Sequence, residues 1–276
     1  MLIQSASNSQ IKYIRALSQN RKARKAHREF FVEGVQAIYE AYRNGWDVRK
    51  LIYCPTMVQS NWAKKTLAES DSQTHIQITE FLHNKLSERS DHELLAIVSQ
   101  PDDDLARIPI RPELLVVLLE HPQNPGNLGT IIRSCDAMGV HGVLIIEPAV
   151  DLYDPKTVRA TMGSLFAIPS IRVKTLHILQ EWIDKVLIKS PNLQIVGTSP
   201  YASTTIDRHD FTLPTILVVG NEQSGMSDQI KMMCDALVSI PMSGSADSLN
   251  IAVATSIMLY EINRQRFSLK IAYDCL

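Results

Sequence analysis

The sequence predicts an α/β protein built from two domains, and three observations carry that reading. Short apolar runs of strand length alternate with segments of helical spacing along most of the chain. Five later runs are apolar throughout: 114–119 (LLVVLL), 142–147 (GVLIIE), 193–198 (LQIVGT), 215–220 (TILVVG) and 236–241 (ALVSIP). Unbroken runs of this kind belong to strands buried on both faces, as in a parallel sheet covered by helices. Between the two parts lies PDDDLARIPIRP (101–112), whose three prolines and three successive aspartates read as a linker. The expected partition is therefore a domain over 1–100, a linker over 101–112 and a second domain over 113–276. A chain of 276 residues is long enough to bury a core in each.

In the first domain, EGVQAIYEAYRNGW places Val35, Ile38, Tyr39 and Tyr42 at helical spacing, and Asn44-Gly45 is a natural stop. LIYC (51–54) reads as a strand, 61–70 as a helix, HIQIT (75–79) as a strand, 81–89 as a helix and ELLAIVS (93–99) as a third strand. In the second domain each apolar run leads into a turn-rich loop. Nine of the eleven glycines fall between Gly126 and Gly244, so this is where the backbone turns sharply and can approach a ligand.

Composition narrows the function classes. Hydrophobic residues make up 45% and charged residues 21%, the balance of a globular domain. No stretch approaches the roughly 18–20 apolar residues needed to cross a bilayer, and MLIQSASNSQIKYIR lacks the apolar core of a secretory leader. Cys54, Cys135, Cys234 and Cys275 are widely separated, which argues against a disulfide framework and against a metal site and points to a reduced cytoplasm. The net charge of −1 is unevenly spread: residues 1–30 hold Lys12, Arg15, Arg21, Lys22, Arg24, Lys25 and Arg28 against the single acid Glu29. Such a cluster either neutralises phosphates or forms an ordinary solvated helix face.

Three loops follow strand ends, where open α/β sheets bind ligands. They are NPGNLGTIIR (124–133), GNEQSGMSD (220–228) and the segment 239–256, SIPMSGSADSLNIAVATS. None contains GxxxxGK[ST] or GxGxxG, which disfavours a P-loop or a dinucleotide cradle. Taken singly, Asn127 reads as a helix cap, Ser248 or Asp247 as the N-cap of the last helix, and Glu222 as an exposed turn residue. Three such loops at successive strand ends are less easily explained by chance.

The segments 124–140 (NPGNLGTIIRSCDAMGV), 218–226 (VVGNEQSGM) and 240–254 (IPMSGSADSLNIAVA) closely resemble, in order and spacing, the three motifs of the SpoU (TrmH-like) branch of the SPOUT RNA methyltransferases. The resemblance covers about residues 113–267. FFVEGVQAIYEAYRNGWDVRKLIYC (30–54) also resembles the small substrate-binding domain of the ribosomal-RNA members. The resemblance implies a C-terminal SPOUT domain with a parallel sheet and a deep trefoil knot, preceded by a small N-terminal α/β RNA-binding domain. It further implies S-adenosylmethionine as methyl donor, a ribose 2′-hydroxyl as acceptor, and an obligate homodimer with its site near the dimer interface, while composition leaves no metal and no membrane among the partners.

By the same resemblance, Asn127, Arg133, Glu222, Ser248 and Asn250 form the reaction site. Thr198, Gly220, Ile240, Met242 and Leu249 hold the donor, with Ile240 and Leu249 suited to adenine burial. Members of the family often have serine where Ala252 stands, which touches the details of the pocket floor. Arg159 and Ser164, in a segment that also resembles the family's, are expected to contact RNA or stabilise the knot. The arginine matching Arg133 is often assigned as general base. A guanidinium is essentially always protonated, so phosphate anchoring through its planar fork is the preferred role, with the proton leaving through the phosphate or a water. Glu222 is expected either to orient Arg133 or to accept a proton. Large-subunit ribosomal RNA is the favoured substrate because of the N-terminal domain. Transfer RNA, an antibiotic-resistance methylation of ribosomal RNA, and a non-catalytic RNA-binding role are the alternatives.

Overall fold

The structure is a computed structural model that describes residues 2–71, 74–88 and 92–274, with side chains through residue 267. The chain divides into two compact units, Met1–Asp102 with Asp151–Ala167, and Asp103–Val150 with Ile168–Leu276.

In the first unit, strands β1 (Leu2–Ile3), β2 (Glu29–Glu33), β3 (Val48–Tyr53), β4 (His75–Ile78) and β5 (Leu94–Ser99) form one sheet in the order β1-β4-β3-β5-β2. The β3 and β4 strands run parallel, and β5 is antiparallel to both β3 and β2. Helices α1 (Ser9–Gln19), α2 (Arg21–His27), α3 (Val35–Arg43), α4 (Asn61–Glu69) and α5 (Glu80–Leu86) complete it. The expected helix over 81–89 ends earlier, and its last residue, Arg89, lies outside the described residues. The α1 and α2 helices occupy the basic segment. Ile11, Ile14 and Leu17 recur on one face of α1 and are fully buried against Phe31, Ile52 and Ile97. Asn8 caps α1 and Asn20 caps α2.

The second unit begins inside the expected linker. Asp103 accepts the Arg172 amide at 3.1 Å and pairs with its guanidinium at 2.8 Å, and Ile108 is buried in the unit's core. The chain then runs through β6 (Leu115–Glu120), α6 (Pro125–Ala137) and β7 (Gly142–Ile146). It leaves as α7 (Pro155–Ala160) and α8 (Ser164–Ala167), both in the first unit, and returns as β8 (Ser170–Val173) and α9 (Leu176–Lys189). The remaining elements are β9 (Gln194–Thr198), β10 (Thr204–Thr205), β11 (Thr215–Val219), α10 (Asp228–Met232), β12 (Ala236–Ser239) and α11 (Ile251–Asp274).

Seven strands form one parallel sheet in the order β10-β12-β9-β11-β6-β7-β8. Every residue of β6, β7 and β11 is buried, as the unbroken apolar runs predict. From β6 the order runs one way through β7 and β8 and the other way through β11 and β9. The loops after β6 and β11 therefore leave the sheet side by side, at the kind of switch point where such sheets bind ligands.

The excursion 151–167 departs from the expected partition, which leaves it in the second domain. Its Tyr153 and Phe166 rings pack on Phe30, at centroid distances of 4.7 and 6.2 Å. Arg24, expected among the phosphate-neutralising cations, is 2% exposed and donates to Asp151 at 2.8 Å and Asp154 at 3.2 Å. Arg159, expected to meet RNA or brace a knot, pairs with Glu33 and with Glu88. Both arginines are thus engaged in holding the excursion within the first unit.

Candidate active site

The loop after β11 owes its shape to Asn221, to which no sequence signal points. Its Nδ2 donates to the His121 carbonyl at 2.8 Å, while its Oδ1 accepts the amides of Gln223 and Ser224 at 2.9 and 3.2 Å. Asn221 and Gly225 exchange both backbone hydrogen bonds, at 2.9 and 3.0 Å. This return brings the backbone so close that a Cβ on Gly220 would lie 2.5 Å from Gly225 and Met226 atoms. Only glycine fits there. Gly220 is buried and does not line the expected donor pocket, so the structure gives it a local packing reason.

That loop presents Glu222 to the loop after β6. One carboxylate oxygen accepts Nδ2 of Asn127 at 3.4 Å, and the other accepts the Gln123 amide at 3.3 Å. Asn250 donates from Nδ2 to Oδ1 of Asn127 at 3.1 Å. Three expected site residues, one from each loop, thus form a single directed chain, Asn250 to Asn127 to Glu222. Neither Asn127 nor Ser248 is a helix cap: Asn124 caps α6, and Asn250 Oδ1 accepts the Ala252 amide at 2.9 Å at the start of α11. Asn124, also absent from the expected site, had a sequence signal, because it directly precedes a proline at the first helical position.

Arg133 lies on α6, six residues beyond Asn127, with an exposed side chain. Among the described residues it has no hydrogen-bond or ion-pair partner. Glu222 does not hold it, contrary to one of the two roles expected for that carboxylate. The guanidinium is therefore free to meet a ligand from outside the unit.

Thr198, Ile240, Met242, Leu249 and Ser248 come together around a pocket of about 100 Å³, backed by Val238 and Met258. The slot is lined mainly by apolar side chains, with Thr198, Ser199 and Ser248 adding hydroxyls. A flat heteroaromatic ring fits such a setting. The residues present therefore suit the adenosine part of S-adenosylmethionine. Residues 241–250 are all exposed, so the loop that closes one side of the slot is open to whatever covers it.

Other reactive groups are poorly placed for chemistry. Burial raises the Cys234 thiol to about 11 and pushes the buried Cys135 up as well, so neither is an activated nucleophile. Cys275 lies outside the described residues. Among the described residues no group of three or more His, Cys, Asp or Glu side chains is placed to hold a metal ion. No helix among them is long and apolar enough to cross a membrane.

Residues 114–260 match the SpoU rRNA Methylase family, and residues 8–95 match the MRM3-like substrate binding domain. The chain is 40% identical over 266 residues to a 23S rRNA (uridine(2479)-2′-O)-methyltransferase of Streptomyces viridochromogenes, covering 96% of this chain and 92% of that one. It is 41% identical to the crystal structure of the SpoU methyltransferase AviRb from that organism in complex with the cofactor AdoMet, with a TM-score of 0.89 over 95% of this chain and all of the other. An AdoMet-bound rRNA methyltransferase from Sinorhizobium meliloti is 34% identical, with a TM-score of 0.83 over 96% and 97% of the two chains. By its motifs, its fold and the extent of these matches, the chain belongs to the SpoU rRNA methylase family.

Proposed function

We propose that this protein transfers a methyl group from S-adenosylmethionine to a ribose 2′-hydroxyl of large-subunit ribosomal RNA. The observation that carries the reading is the hydrogen-bonded chain Asn250–Asn127–Glu222, assembled from all three loops of the second unit. When bound, the donor supplies an electrophilic methyl group. Thr198, Ile240, Met242 and Leu249 hold its adenosine end, and Ser248 stands at the rim. Asn127 and Glu222 fix the loop from which α6 starts, and so set where Arg133 projects. Arg133 clamps the phosphate next to the acceptor ribose, orienting the hydroxyl for in-line attack. The hydroxyl proton leaves through that phosphate or a water, since the guanidinium stays charged.

The match of residues 8–95 to a substrate-binding domain supports ribosomal RNA and gives the first unit the role of choosing it. The second unit then carries the chemistry. The trefoil knot and the homodimer implied by the resemblance belong to the same proposal, as does action in the cytoplasm. Val253, Tyr260 and Phe267 recur every seven residues on α11 and are 49%, 61% and 60% exposed. A two-fold partner that covers this stripe accounts for it. Mapping ribose methylation across total RNA, in cells with and without the gene, tests the activity and identifies the nucleotide. A methylation of large-subunit RNA that vanishes with the gene is the expected result.

A further inference from the structure

A second cleft opens at the carboxyl ends of β6, β7, β8 and β11, lined by Asn221 and Gln223 on either side of Glu222 in the chain. Its volume is about 630 Å³, inside the range of roughly 300–1,000 Å³ typical of small-ligand sites. Gln123, Gln223 and Gln229 line it, from the loop after β6, the loop after β11 and α10. All three side chains are exposed, and among the described residues none of these carboxamides has a hydrogen-bond partner. We propose that this cleft receives an unpaired nucleobase of the RNA substrate and reads it through Gln123, Gln223 and Gln229. The inference rests on the RNA methyltransferase reading above and adds a specificity site to it.

The chemistry of the lining selects this occupant. Each glutamine offers two donors and an acceptor without charge, which is what the edge of a base requires. A phosphate calls for cations. Here Lys174 is the cation of the lining, against Glu120 and Glu147. The carboxylates disfavour an anion and tolerate the N–H groups of a base. Single-stranded bases are also the part of RNA that proteins read in sequence-specific fashion.

The backbone beneath Gln123 and Gln223 is held in place. Asn221 fixes the Gln223 and Ser224 amides and, through its Nδ2, the carbonyl of His121. His121 itself has a φ of 49°, an unusual conformation for a residue with a side chain, and Nδ1 of its ring lies 3.2 Å from the Ile146 carbonyl oxygen. The Gln123 amide bonds to Glu222, whose other oxygen bonds Asn127. A base seated in the cleft therefore meets Gln123, whose backbone is anchored on the same carboxylate that bonds Asn127.

The test uses the full-length protein, labelled S-adenosylmethionine, and total RNA from cells lacking the gene, with methylated positions mapped by sequencing. Gln123→Met, Gln223→Met and Gln229→Met, singly and together, keep side-chain length but remove every donor and acceptor. The triple variant is expected to lose roughly tenfold or more in kcat/KM at the wild-type nucleotide and to methylate additional positions, with donor affinity by calorimetry unchanged. A triple variant as fast and as selective as wild type overturns the cleft assignment alone. A variant with weakened donor binding overturns it too, because the cleft would then serve the donor pocket. A wild-type protein that binds the donor but methylates no RNA overturns the proposed function, and this inference with it.

Discussion

Asn250 donates to Asn127 at 3.1 Å across 123 residues of chain, tying the start of α11 to the first turn of α6. Asn250 has two jobs, since its Oδ1 also caps α11. An Asn250→Asp variant separates them, because a carboxylate still caps but cannot donate to Asn127. The expected outcome is a melting temperature near wild type with methyl transfer reduced about ten- to a hundredfold, the cost of an unmet polar contact. Asn250→Ala should in addition lose about 1 kcal/mol of stability with the cap. Calorimetric melting and methyl incorporation read the two effects separately.

Arg133 gives a second split between binding and chemistry. It stands exposed and unpartnered among the described residues, and it is not one of those that line the donor pocket. Arg133→Ala should bind S-adenosylmethionine as wild type does and lose most methyl transfer. Arg133→Lys should recover little, because a point charge cannot supply two parallel hydrogen bonds to one phosphate. A lysine variant working at near wild-type rate would remove the clamp from the mechanism.

How much of this is readable from the chain follows from the range of the interactions involved. Strands β6, β7 and β11 announce themselves, because burial on both faces leaves no polar residue inside them, while β9 and β12 carry similar apolar runs although only part of each is buried. The α1 helix is also written in the sequence, at Ile11, Ile14 and Leu17, but the basic cluster that runs on from it through α2 points first toward a phosphate patch. The four-residue β8 is too short to show a period. The place of Arg24 cannot be read at all. Its partners Asp151 and Asp154 are 127 and 130 residues away, in a segment whose own sequence joins it to the second domain. At the site, Asn127, Glu222 and Asn250 are legible through motif resemblance. Asn124 is announced by the proline that follows it, whereas Asn221 acts on backbone groups in a role that only the folded loop reveals.

Glu33 sets a pH dependence. Burial alone would raise its pKa, but hydrogen bonds from His92, Ser87, Arg159 and the Glu88 amide outweigh that and hold it at about 2, against an ordinary 4.5. A depressed carboxyl contributes stability above its ordinary pKa, and loses it as pH falls through the folded value. The first unit should therefore weaken between about pH 4.5 and 2, by ~3 kcal/mol in total from this group. Denaturant titrations across that range should show the loss. Glu33→Gln should be less stable at neutral pH and flatter in its response.

The basic segment should divide into two kinds of cation. Lys12, Lys22 and Lys25 are exposed, whereas Arg24 is buried between two aspartates. Reversing the three lysines to glutamate should weaken RNA binding and lower its salt dependence, by about 0.7 in log–log slope for each single-stranded phosphate no longer neutralised. Donor affinity should not change. Arg24→Ala instead strands two carboxylates and should destabilise the first unit by about 3–5 kcal/mol. If Arg24→Ala, like the lysine reversal, only weakened RNA binding and left stability unchanged, the buried ion pair would be misassigned.

Deleting residues 1–100 tests the division of labour, and the excursion changes what such a truncation does. Tyr153, Val158, Leu165 and Phe166 are each no more than 4% exposed, and they belong to the first unit. Without Phe30 and Trp46 these side chains lose their cover. Trp46 also donates from Nε1 to the Phe166 carbonyl at 3.0 Å. Exposing a buried side chain of this size costs roughly 1.5–3 kcal/mol, so the simple truncation should aggregate. Removing 151–167 as well, with a flexible glycine-serine linker from 150 to 168, should restore solubility, because the second unit keeps its own core. That doubly trimmed protein should bind S-adenosylmethionine, since the donor-pocket residues are intact, and should fail to methylate its RNA at the wild-type nucleotide. Full-rate methylation of the same nucleotide would show that the second unit selects its substrate unaided. A simple truncation that stays soluble and monodisperse would mean that 151–167 does not depend on the first unit for its packing.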